Sequence, residues 1–184
     1  MGCAKSKTRD EDCKQLESLT NFTPEELKKC YDDFQQESTS GKMDRTKFDE
    51  FYKKFFNRDP RFVDHLFRTF DFNNDGFINF REFVCGLSIT TRGTPEEKLT
   101  WTFNVYDVNN DGTITRDEML QIMRAIYAMN GISEPEQLKS GSDAFEGLDS
   151  NGDGLISVAE FVKGVKRDER LLEFLQRTID VQQK

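Results

Sequence analysis

Three twelve-residue stretches, 71–82, 107–118 and 149–160, carry one pattern: Asp, Asn and Asp at the first, third and fifth places, Gly at the sixth, Ile at the eighth and Glu at the twelfth. Oxygen-bearing side chains at alternate places, a backbone carbonyl at the seventh and a bidentate carboxylate at the end supply the six to eight oxygens that a hard divalent cation takes, which is the spacing of a calcium loop. The candidate ligands are Asp71, Asn73, Asp75, Phe77, Asn79 and Glu82 in the first stretch, Asp107, Asn109, Asp111, Thr113, Thr115 and Glu118 in the next, and Asp149, Asn151, Asp153, Leu155, Ser157 and Glu160 in the last. Phe77, Thr113 and Leu155 act through their carbonyls, and the ninth-place residues bind directly or through water. The expected ion is Ca2+ at three sites, with Mg2+ as occupant when calcium is low; the terminal Glu favours calcium. Gly76, Gly112 and Gly154 fall at the bend that needs a positive φ. Ile78, Ile114 and Ile156 point away from the ion and are expected to pair neighbouring loops.

The loops recur at a near-regular interval, and one further step back reaches 36–47, QESTSGKMDRTK. Gly41 and Met43 keep the sixth and eighth places, whereas Gln36 and Lys47 replace the first and last carboxylates. This loop is expected to be structural and unable to hold calcium, with the Lys47 cation set against any metal. Met43 would pair with Ile78. Thr23-Pro24-Glu25-Glu26 and Thr94-Pro95-Glu96-Glu97 each combine an N-cap, a first-turn proline and a capping-box Glu, and Asp59-Pro60 opens a helix similarly. Asn79, Thr115 and Ser157 can N-cap the exiting helices, so ligand and helix start form one unit. The expected fold is all-α: four EF-hands in two pairs, with short loop-to-loop β contacts. The domains expected are an acylated segment at 1–22, a first pair at 23–92 and a second pair with a C-terminal helix at 93–184. A linker is expected at 130–142, which carries Gly131, Pro135, Ser140 and Gly141.

A net charge of -8 argues against nucleic acid as a partner. Cys3, Cys13, Cys30 and Cys85 lack CxxC spacing, and no run of 18 apolar residues occurs, so the expected setting is a reducing cytoplasm without a membrane span, peripheral on the membrane through N-terminal acylation. His65 is the only histidine, and no nucleophile, base and orienter can be assembled around it, so no enzyme is expected.

Met1-Gly2-Cys3-Ala4-Lys5-Ser6 fits the signal for myristoylation of Gly2. Cys3 is either a palmitoylation site, which would give two anchoring chains, or an unmodified thiol. Of the 17 Phe, 13 fall between Phe22 and Phe83. Two hands have a small interior, so Tyr31, Phe34, Phe48, Phe51, Tyr52, Phe55, Phe56 and Phe83 are expected to line a groove for an amphipathic target helix or for the chain's own acyl group.

Phe67-Arg68-Thr69-Phe70-Asp71, Phe80-Arg81-Glu82-Phe83, Leu87-Ser88-Ile89-Thr90-Thr91-Arg92-Gly93, Glu97-Lys98-Leu99 with Trp101, and Ala125-Ile126-Tyr127 resemble the neuronal calcium sensor family, which includes the recoverin, visinin-like, neurocalcin and guanylate cyclase activating proteins. The resemblance spans nearly the whole chain. It implies two EF-hand pairs, a target groove in the N-terminal half and, in some members, calcium-driven extrusion of a myristoyl group. Ser38-Thr39 stand where the family usually has Cys-Pro, and Cys30 where it has Trp. The middle of the chain is closest to the visinin-like and neurocalcin group, while Gly164-Val165 and Leu171-Leu172 resemble cyclase activators. The expected function is a membrane-attached calcium sensor that regulates a cyclase, kinase or channel type of target. The alternative is a cytosolic calcium buffer that opens little.

Overall fold

Helix ends in this chain are written into short local signals, and the computed structural model, which describes residues 13–56, 60–129, 134–172 and 175, places them as those signals require. Helix α1 (Pro24–Glu37) starts at the Thr23 cap, with Glu26 closing the capping box, and α5 (Pro95–Tyr106) repeats this with Thr94 and Glu97. Each box satisfies two backbone N–H groups that the first turn leaves without partners. Between them run β1 (Lys42–Met43), α2 (Arg45–Phe56), α3 (Pro60–Phe70), β2 (Ile78–Asn79) and α4 (Phe80–Arg92). The second half continues with β3 (Thr113–Thr115), α6 (Arg116–Met129), α7 (Glu134–Leu148), β4 (Leu155–Ser157) and α8 (Val158–Arg167).

Loops pair through two-stranded antiparallel ladders. Met43 faces Ile78 across β1 and β2, and Ile114 faces Ile156 across β3 and β4. All four side chains are fully buried. A period-2 strand sends alternate side chains to opposite faces, so the eighth-place residue enters the core while its neighbours stay with the loop.

One correction concerns the expected linker. Helix α7 begins at Glu134 and runs through Pro135, Ser140 and Gly141 to Leu148. Pro135 lies in the first turn, where its missing N–H costs nothing. Gly141 is a packing residue rather than a hinge: a Cβ there would stand 2.7 Å from Leu120 Cδ2.

Both pairs share a continuous apolar interior. Leu27, Phe34, Phe48, Val63 and Val84 fill the first pair, and Ile122, Phe145, Phe161 and Val165 the second. Phe70 of α3 meets Trp101 of α5 edge to face at 6.0 Å, which joins the halves. Cys13 and Leu16, ahead of the first hand, are also buried. Arg92 at the end of α4 bonds Glu26 at 2.5 Å and the Asn21 carbonyl at 2.8 Å, tying the last helix of the first pair to its beginning. Among the described residues, no helix is long and apolar enough to cross a membrane.

Candidate metal centres

Each of the three loops is wound around its first aspartate. Asp71 accepts from the Asp75 and Gly76 N–H groups at 3.1 and 2.9 Å, and Asp107 accepts from Asp111 and Gly112 at the same two distances. Asp149 accepts from Gly154 at 3.0 Å and from Gly152 at 2.8 Å. The sixth-place glycines have φ of 81°, 87° and 83°, the left-handed bend that turns these N–H groups inward. The fourth place is left-handed as well, held by Asn74 at 55°, Asn110 at 62° and Gly152 at 74°. Gly152 therefore meets a local backbone demand that asparagine meets in the other loops.

Asn73, Asn109 and Asn151 each accept the N–H of the fifth-place aspartate, at 2.9, 3.0 and 2.8 Å. Those aspartates in turn accept the N–H of Phe77, Thr113 and Leu155 at 2.9, 2.9 and 2.8 Å. Each candidate side chain at the first, third and fifth places thus has at least one oxygen oriented by a backbone N–H of its own loop.

The twelfth-place glutamates cap their exit helices and reach across the loop. Glu82 accepts from Asn79 N–H at 2.9 Å and Asn73 N–H at 3.3 Å. Glu118 accepts from the Thr115 N–H and hydroxyl at 2.9 and 2.7 Å and from Val108 and Asn109. Glu160 accepts from the Ser157 N–H and hydroxyl and from the Ser150 hydroxyl at 3.1, 2.8 and 3.0 Å. Burial and donor number together separate the three electrostatically. Burial pushes the Glu82 carboxyl above its usual range, because two N–H groups do not offset it. At Glu118 burial acts the same way but is outweighed by Thr115, Asn109 and Val108, so the net shift is downward. Glu160, bonded by Ser157 and Ser150, is lowered to about 2.

Asp71, Glu82, Asp107 and Glu118 are all buried, so their charge must be answered by hydrogen bonds or by a positive ion. Among the described residues, no three acid, thiol or imidazole side chains converge closely enough to hold a metal ion as they stand. Oriented oxygens, buried carboxylates and a glycine bend fit a hard divalent ion.

The first loop departs from this scaffold and from one expectation. Lys47 does not face the loop: its Nζ bonds Glu50 one turn on at 2.8 Å, while its N–H is capped by Asp44. The cation that does reach a loop carboxylate is Lys42, 2.9 Å from Asp75 Oδ2. Arg68 likewise reaches the Val105 carbonyl, two residues before Asp107, at 2.9 Å. Sequence reasoning missed both, since 33 and 37 residues separate the partners and only packing brings them together.

Of the aromatic set expected to line a groove, the described members pack against one another. Phe34, Phe48, Tyr52 and Phe83 are buried, while Tyr31 and Phe51 are half-buried. Phe34 meets Phe83 at 5.3 Å, Phe51 meets Phe83 at 5.2 Å, and Tyr31 meets Phe80 at 4.8 Å. In this arrangement the described rings belong to the core or pack against it. The side chains of Phe55 and Phe56, and residues Gly2, Cys3 and Asp59, lie outside the described residues. His65 is half-buried on α3, and burial, followed by Arg68, lowers its pKa.

Comparison with known proteins accords with the loops. Residues 96–166 match the EF-hand domain pair family, and residues 62–89 match the EF hand domain family. Guanylyl cyclase-activating protein 1 of Lithobates pipiens is 37% identical over 167 residues, which cover 89% of this chain and 82% of that relative. With calcium-type loops, paired hands and full-length likeness agreeing, the chain belongs to the neuronal calcium sensor family of EF-hand proteins, non-enzymatic calcium-binding regulators.

Proposed function

We propose that this protein is a membrane-attached calcium sensor in which loops 71–82, 107–118 and 149–160 take calcium, loop 36–47 takes none and Gly2 carries a myristoyl group. One observation carries the reading: Glu82, Glu118 and Glu160 each end a loop and also occupy the third position of the helix that leaves it. A carboxylate that turns toward an ion must carry that helix with it, and the ion supplies the charge that makes the turn favourable. In the first pair, movement of α4 would separate Phe83 from Phe34 and Phe51. Tyr31, Phe34, Phe48, Phe51, Tyr52, Phe55, Phe56 and Phe83 would then offer an apolar groove to an amphipathic helix. At low calcium, Mg2+ occupies loops without drawing in the bidentate Glu, since it prefers near-octahedral water-rich coordination. The named activity of the relative from Lithobates pipiens makes a guanylyl cyclase the favoured target class.

The test uses full-length myristoylated protein and its Gly2→Ala variant, with calcium or chelator. Expected results are calcium-dependent binding of an apolar-surface dye, calcium-dependent regulation of guanylyl cyclase in membranes, and loss of vesicle attachment in Gly2→Ala. Tight calcium binding with neither new apolar exposure nor any effect on the cyclase overturns the sensor in favour of a buffer.

A further inference from the structure

Lys42 belongs to the first hand, yet its ammonium bonds a carboxylate of the second. Nζ lies 2.9 Å from Asp75 Oδ2. The β1–β2 ladder fixes its place, with Lys42 opposite Asn79 and Met43 opposite Ile78. The Phe77 ring flanks the same ammonium at 5.2 Å from its centroid. Asp75 Oδ1 is already taken by the Phe77 N–H at 2.9 Å, so both oxygens of this fifth-place carboxylate are engaged.

The remaining loops treat their fifth place differently. Asp111 Oδ2 and Asp153 Oδ2 accept from the neutral side-chain amides of Asn109 and Asn151 at 2.8 and 2.9 Å. In the second pair, the seventh-place position that Lys42 holds in the first is held by Thr113. Its hydroxyl bonds Asp111 of its own loop at 2.7 Å and brings no charge. Among the described residues, only the second loop has its fifth carboxylate held by a cation from outside the loop.

We propose that Lys42 is a tethered competitor for the second loop, neutralising Asp75 in the calcium-free protein and lowering that loop's calcium affinity. The proposal rests on the reading that loop 71–82 takes calcium. It gives the first hand a role beyond support: with Gln36, Ser38, Ser40 and Lys47 at the first, third, fifth and twelfth places of its loop, it lends its partner a cation and so biases the order in which the loops fill. The magnitude is one of tuning rather than blockade. The side chains of Lys42 and Asp75 are 49% and 35% exposed, so water screens the pair. Asp75, facing a divalent ion, trades one positive charge for two, and the displaced ammonium keeps a perch on Phe77. Asp75, Glu82 and Asp71 all bias Lys42 toward its charged form, with the Asp75 bond foremost.

The test is calcium calorimetry on the full chain carrying Glu118→Gln and Glu160→Gln, so that the second loop is read alone, in three forms: Lys42 retained, Lys42→Met and Lys42→Arg. Circular dichroism confirms equal helix content. Lys42→Met is expected to tighten calcium binding by about two- to fivefold, and Lys42→Arg to leave it near the parent value. The gain should vanish in about 1 M KCl, where the screening length falls to roughly 3 Å. Equal or weaker affinity in Lys42→Met at low salt overturns the competitor while leaving the calcium site standing. Absence of calcium heat from all three forms, with Glu82→Gln indistinguishable from them, overturns the functional reading of the loop and the proposal with it.

Discussion

Arg68 of α3 donates through Nη2 to the backbone carbonyl of Val105 at 2.9 Å, so the helix entering the second loop is tied to the end of the helix entering the third. The guanidinium caps carbonyls that the last turn of α5 leaves unpaired, and it also feels the Asp107 and Glu118 carboxylates. Arg68→Met should cost about 1–2 kcal/mol in calcium-free urea unfolding, because a half-buried charged donor is lost and a helix end is left without a partner. It should also weaken the dependence of third-loop affinity on second-loop occupancy, read by calorimetry with and without Glu82→Gln. An unchanged dependence would show that Arg68 does not carry the coupling between the halves.

The contrast between local and distant contacts explains what could be read without coordinates. Thr23 with Glu26, Asn79 with Glu82 and Ser157 with Glu160 act within three residues, so their chemistry is present in the chain order itself. The pairing of Met43 with Ile78 was legible for a related reason: repeat register places equivalent positions opposite each other. Lys42 with Asp75, Arg68 with Val105 and Gly141 against Leu120 depend on how helices and ladders pack, and no local pattern announces them. The misplaced linker has the same origin. Gly and Ser near Pro135 look like loop residues in the sequence, whereas Gly141 lies within α7 and packs against Leu120.

Glutamine at a twelfth place keeps the shape of the loop and removes one charge. Glu82→Gln, Glu118→Gln and Glu160→Gln should each delete one calcium from the calorimetric stoichiometry, with affinity at the altered loop falling at least about tenfold. In the calcium-free protein the three should differ. At Glu82 the neutral amide replaces a carboxylate that burial already disfavours, so Glu82→Gln should leave the urea midpoint unchanged or raise it. Glu118→Gln should lower it, because a net-stabilised carboxylate loses charge-assisted bonds from Thr115.

The same contrast predicts a split titration in calcium-free protein. Glu160, depressed to about 2, contributes stability that is present above the unfolded carboxyl value and lost as pH falls through its folded value. Glu82 has the opposite sign: its folded carboxyl holds its proton to higher pH than the unfolded one, so its ionisation opposes folding as pH rises through the raised value. Carboxyl carbon NMR should show Glu82 titrating above the ordinary glutamate range and Glu160 well below it. Coincident midpoints would remove the argument from burial and donor number.

A methyl group at Gly86 probes the seam between the two pairs. An added Cβ would stand 2.4 Å from Phe70 Cε1 and 2.5 Å from Cδ1, and an aromatic ring cannot bend away as an aliphatic tip can. Phe70 is also packed against Trp101, which is buried, so the ring can move only by disturbing the junction of α3 with α5. Gly86→Ala should therefore destabilise the calcium-free protein by about 1–3 kcal/mol and shift the emission of Trp101. Gly141→Ala meets only the flexible tip of Leu120, Cδ2, at 2.7 Å and should cost less, with Trp101 emission unchanged. Equal losses for the two variants would mean that Phe70 has room to rotate, and that the seam is softer than the close approach of Gly86 requires.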